Sequence, residues 1–112
     1  MIATDEVLRR LTIGDRAFCS RLVSGRQAPG FLDGRSLAML RLGATISMGS
    51  SATIWQQRVA DVLENGYSED EVVESLTSLA PVIGIDRLVD DAPEMARALG
   101  YDIDDALERL DP

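Results

Sequence analysis

With 112 residues and no internal repeat, the chain fits one domain over 1–112, long enough to bury a core, and its net charge of −8 argues against anionic membranes. It contains neither histidine nor lysine, so all eleven basic residues are arginines. This excludes Ser-His and Cys-His nucleophile pairs, imidazole acid–base chemistry, Schiff bases and a phosphate-binding lysine. The single cysteine, Cys19, rules out an intrachain disulfide, and carboxylates with one thiol make a poor set for zinc, so no metal and no cofactor is expected.

Apolar residues recur with the 3.6-residue period and nowhere alternate convincingly with period 2, which predicts an all-α fold, a helical bundle of about five to seven helices. Thr4-Asp5-Glu6 opens a first short helix carrying Val7, Leu8 and Leu11. Gly14-Asp15 opens a second with Phe18, Cys19 and Leu22 inward, so Cys19 reads as a small core residue rather than a reactive thiol. Ser24 to Gly30 has turn composition and is expected to be a mobile loop able to cover a pocket. Asp33 can cap the next helix, on which Leu37, Met39, Leu40, Leu42, Ala44, Ile46 and Met48 lie almost all the way round, the pattern of a helix in the centre of a bundle.

Gly49-Ser50-Ser51 breaks that helix, and another follows from about Ala52 to Asn65, with Trp55, Val59, Val62 and Leu63 as its buried stripe and Gly66 in the C-cap position. Ser68-Glu69-Asp70-Glu71 is a capping box that starts a helix lined by Val72, Leu76, Leu79 and Ile83. Pro81 interrupts its end and Gly84 stops it. From Asp86 a further helix presents Leu88, Ala92, Met95 and Leu99, with Pro93 expected to kink or divide it. Asp102 caps a last segment bearing Ile103, Ala106, Leu107 and Leu110. The acids Asp90, Asp91, Glu94, Asp104, Asp105 and Glu108 read as a solvated face without the ligand spacing of a calcium loop.

Charge is divided unevenly: Met1 to Arg58 carries eight arginines against four acids, and Val59 to Pro112 three against fifteen. The arginines are spread over several helices without aromatic interleaving or a Gly-rich loop, so nucleic acid is not the expected partner. Attraction between the halves, within one subunit or across an oligomer interface, accounts for the pattern more simply. Asp5, Glu6, Arg9 and Arg10 stand where a signal peptide would be apolar, and every apolar stretch falls short of the roughly 20 residues a bilayer span needs. A cytoplasmic location and no membrane partner are therefore expected.

Arg58 is the most informative side chain, because Ile54, Trp55 and Val62 surround it at helical spacing. Two readings stay open. Arg58 either pairs with Asp61 at i+3 or with an acid of another subunit, or snorkels to water, or else its planar fork clamps the carboxylate or enolate of a small ligand. Trp55 shares its side of the helix, and Gln57 and Asp61 form the neighbouring edge. Met39 and Met48 can line the same cavity or simply pack, and Ser51 reads better as an N-cap than as a nucleophile, since no base is available to activate it.

From Leu32 to Asp86 the pieces Leu32-Asp33, Leu63-Glu64-Asn65-Gly66, Ser68-Glu69-Asp70-Glu71 and Leu79-Ala80-Pro81 with Gly84 resemble, in order and nearly in spacing, the core of the carboxymuconolactone decarboxylase and alkylhydroperoxidase D superfamily. The resemblance covers about half of the chain. In that family's redox branch a CxxC pair followed by histidine reduces peroxides; the matching positions here are Ser51 and Ile54, with Arg58 at or beside the histidine. A glutamate usual on the preceding helix corresponds to Ala38 or Met39. Thiol peroxidase chemistry is thus excluded, because one thiol on another helix cannot complete an internal disulfide cycle.

The resemblance implies a bundle whose central helices pack against those of other subunits, commonly as trimers or hexamers, and whose decarboxylase branch acts on lactone carboxylates without a cofactor. Two functions follow as expectations. One is an oligomeric, non-catalytic protein that holds a small acidic ligand or another protein. The other is a cofactor-free lyase or isomerase with Arg58 for electrostatic stabilisation and Asp61 as acid or base. The candidate catalytic residues are Arg58 and Asp61, and the candidate ligand contacts are Trp55, Gln57, Met39 and Ser51.

Overall fold

Helical periodicity governs the whole architecture: in the computed structural model, which describes residues 3–25 and 30–109, every described regular element is a helix. In chain order these are α1 (Thr4–Ile13), α2 (Arg16–Ser24), α3 (Gly34–Met48), α4 (Ala52–Glu64), α5 (Glu69–Ser78), α6 (Ala80–Ile83), α7 (Ile85–Ala98) and α8 (Ile103–Arg109). α6 is a single turn, so seven longer helices carry the fold, the upper end of the expected number. No described helix is long and apolar enough to cross a membrane. The chain divides into two units, Met1–Asp33 and Gly34–Pro112.

In the first unit α1 packs against α2. Glu6, in the first turn of α1, accepts hydrogen bonds from Arg9 at 2.7 Å and Arg10 at 3.0 Å, and these bonds hold its carboxyl down at about 2. Gly14 adopts φ +67° to end α1, and Asp15 then caps α2 by accepting from the Phe18 amide at 2.9 Å. Phe18 is buried, with the guanidinium groups of Arg10 and Arg21 at 5.7 and 5.9 Å from its ring centroid. Cys19 is free and half-buried. Of the expected loop from Ser24 to Gly30, residues 26–29 lie outside the described residues, as does Leu110.

The second unit has one core: Ala38, Leu42 and Ile46 of α3, Trp55, Val59 and Val62 of α4, Val72 and Leu76 of α5, and Leu88 and Met95 of α7. The sets repeat at three, four or seven residues, so each helix turns one stripe inward, and each large side chain so buried contributes roughly 1.5–3 kcal/mol. Local signals fix the ends. Ser68 and Glu71 form the expected capping box, with the Glu71 amide donating to the Ser68 hydroxyl at 3.1 Å and the Ser68 amide to the Glu71 carboxylate at 3.0 Å. Asp102 caps α8 by accepting from the Asp105 amide, and Arg97 ties α7 to α8 through Asp104 at 3.1 Å.

Three expectations are corrected here. α3 is apolar all round, but within this unit only one side is covered: Leu40 and Met48 are 61% and 80% exposed. Leu63 falls at the edge of the α4 stripe and is 37% exposed. α7 is not divided at Pro93, and between Leu88 and Met95 its inward stripe takes Asp91 in place of the expected Ala92, which is exposed. The inward arc that joins Leu88 to Met95 passes through position 91, and this leaves Ile85 and Val89 outside, each 65% exposed.

Candidate functional site

The turn between α3 and α4 forms the site. Gly49 takes φ +77°, a left-handed conformation that an L side chain adopts only at a cost, and its amide donates to the Thr45 carbonyl at 2.8 Å, closing α3. Ser51 then starts α4 by accepting from the Ile54 amide at 3.3 Å, which confirms its reading as an N-cap. Only the short Gly49-Ser50-Ser51 link separates the two helices, so the last turns of α3 lie beside the first turns of α4.

Between them is an open cleft of about 230 Å³. From α3 it receives Arg41, Ala44, Thr45 and Met48, which share a face at helical spacing; from α4 it receives Ile54 and Arg58, four residues apart; Gly49 and Ser50 complete it. The lining holds two guanidinium groups and no carboxylate. Neither Arg41 nor Arg58 forms an ion pair with a described residue, and the Arg58 Nε is buried without a hydrogen-bond partner. A buried donor left unpaired forfeits its hydration without return.

The expected pair of Arg58 with Asp61 is absent. On a helix the side chain leans toward the N-terminus, which carries Arg58 over Ile54 and away from Asp61. Asp61 instead serves the end of α4: the Asn65 side-chain amide donates to its carbonyl at 2.8 Å and to its carboxylate at 3.2 Å. Of the site candidates named from the sequence, Arg58 and Met48 line the cleft. Trp55 is 1% exposed in the core, Met39 packs against that core, Gln57 is exposed to solvent, and Ser51 is the cap. Arg41, which also lines it, stands two residues from Met39 and so on another side of a helix whose outward side sequence periodicity left ambiguous.

A second polar feature lies behind the turn. The Arg87 guanidinium comes to within 3.0 Å of the place a Cβ on Gly49 would occupy, and its Nη1 stands 3.8 Å from Asp91 Oδ1. Asp91 is only 3% exposed, and its Oδ2 has no hydrogen-bond partner. Burial pushes its carboxyl above the ordinary aspartate value against the opposing pull of Arg87, and Asp90 and Glu94 add to the rise. The sequence reading placed Asp91 on the solvated acidic face; its signal was position, three residues after Leu88 and four before Met95. No group of three or more metal-ligating side chains gathers among the described residues. The chain matches no protein-family model, no curated protein and no solved structure.

Proposed function

We propose that the chain is a divergent member of the carboxymuconolactone decarboxylase and alkylhydroperoxidase D superfamily without thiol peroxidase chemistry, an oligomeric protein that holds a small carboxylate in the cleft between Arg41 and Arg58. The observation that carries this reading is the buried Arg58 Nε without a partner, in a lining free of acids. A guanidinium so placed offers its fork to a planar carboxylate and pairs with it through charge-assisted hydrogen bonds. Family membership rests on the ordered motifs from Leu32 to Asp86. Self-association is supported by apolar side chains left outside the second unit's core, Leu40 and Met48 on one helix and Val82, Ile85 and Val89 along another stretch. The alternative of a cofactor-free lyase or isomerase finds no acid or base in the cleft, since Asp61 is engaged by Asn65.

Calorimetric titration of a small-carboxylate library against wild type and Arg58→Met tests the site. Binding by wild type and its loss in a variant that melts normally is the expected result; no heat with any carboxylate overturns the proposal. Light scattering at micromolar concentration and moderate salt tests self-association separately, and a monomer there removes that part of it.

A further inference from the structure

The cleft is not uniformly polar. Its cationic groups belong to Arg41 and Arg58, while Ala44, Met48 and Ile54 supply apolar wall between and beside them. The Thr45 hydroxyl donates to the Arg41 carbonyl at 3.1 Å, so its one proton is already engaged. Phosphate, with four polar oxygens, would set some of them against the Met48 and Ile54 side chains, which supply no donor. An alcohol would waste both guanidinium groups. The cleft of about 230 Å³, against the roughly 150 Å³ of a cavity that takes benzene, has room for about eight heavy atoms.

We infer that the ligand of this site is a monocarboxylate carrying a short aliphatic tail, of about the size of hexanoate, with its head on Arg58 and Arg41 and its tail along Met48 and Ile54. This rests on the proposed carboxylate-binding reading and adds the tail to it. Methionine suits such a wall, because its unbranched thioether adapts to chains of different length.

The experiment is a calorimetric series from acetate through butanoate and hexanoate to octanoate, with hexanol and inorganic phosphate as the other two probes, on the full chain. Affinity is expected to rise about two- to fourfold for each added methylene and to flatten beyond hexanoate, as the cleft fills. Hexanol and phosphate should bind at least tenfold more weakly than hexanoate. Met48 is 80% exposed, so Met48→Gln leaves the core intact and should reduce the gain per methylene, whereas Arg58→Met should abolish binding of the whole acid series. Acetate or phosphate binding as tightly as hexanoate, still lost in Arg58→Met, would overturn the tail and leave the carboxylate site standing. Hexanol binding as tightly as hexanoate, or no binding by any acid, would overturn both.

Discussion

The two ends of α3 use the same residue types for opposite purposes. At its start Arg35 is answered twice, by Glu71 at 3.3 Å and by the Tyr67 ring, whose centroid lies 4.0 Å from the guanidinium carbon. Gly34 there lies against Asn65, the residue that closes α4. From mid-helix onward Arg41, like Arg58 across the cleft, has no acid partner among the described residues, and at the other end Gly49 opens the chain into that cleft. The Asn65-Gly66 and Ser68 to Glu71 motifs that carry the family resemblance sit at the closed end, where they cap helices. Arg58 and Ile54 sit toward the open one. One end is therefore fixed by local hydrogen bonds, and toward the other two guanidinium groups line a cleft without a carboxylate.

The largest expected contrast is between the glycines at the two ends. Gly49→Ala forces a side chain into a left-handed conformation, a cost of about 1–2 kcal/mol, and pushes the Arg87 guanidinium aside. Gly34→Ala meets only the Asn65 side-chain oxygen at 3.0 Å and gains helix propensity, so it should stay within about 0.5 kcal/mol of wild type. Urea melts of the two variants measure the difference. Equal losses at both positions would mean that the turn geometry does not set the cleft end apart.

A smaller effect, read as a trend with pH, concerns Asp91 behind the open end. Burial makes the folded chain hold this proton more tightly than the unfolded chain does. Its stabilising contribution is thus complete below the ordinary value of 3.8 and is lost as pH rises through the raised folded value. Glu6 and Glu71 run the other way, because their lowered folded values stabilise above the ordinary 4.5 and lose that contribution as pH falls. The difference between Asp91→Asn and wild type isolates the aspartate. The variant's melting temperature should gain on wild type as pH rises from 4 toward 7, and a constant offset would remove Asp91 as the source.

What the sequence made legible follows the range of the interactions involved. The Ser68–Glu71 box, the Ser51 and Asp15 caps and the end of α4 at Asn65-Gly66 are decided within three or four residues, so pattern alone identifies them. Arg58 stood out because a charge on an apolar turn is a local anomaly. Met48 could be named beside it as lining or packing, but Arg41 could not, since it joins Arg58 only after the Gly49 turn folds one helix back on the other. Asp91 was missed for a related reason. Leu88 and Met95 admit either position 91 or 92 between them, and packing against α3 and α4 chose the acid over the alanine.

The smallest expected effects are the pairwise couplings, and they bear most directly on the contrast between the two ends. For Arg35 and Glu71 a double-mutant cycle to Met and Gln should return a coupling of about 0.2–1 kcal/mol, the usual range for a half-exposed pair held at 3.3 Å. The same cycle on Arg58→Met and Asp61→Leu should be additive within about 0.3–0.5 kcal/mol, because no ion pair joins them and Asp61 is engaged by Asn65. Arg58→Met alone should leave the melting temperature unchanged or raise it, since it removes a buried donor without a partner and opens no charge elsewhere. A coupling between Arg58 and Asp61 as large as that between Arg35 and Glu71 would make the open end a second closed one, with Arg58 spent on the helix that bears it.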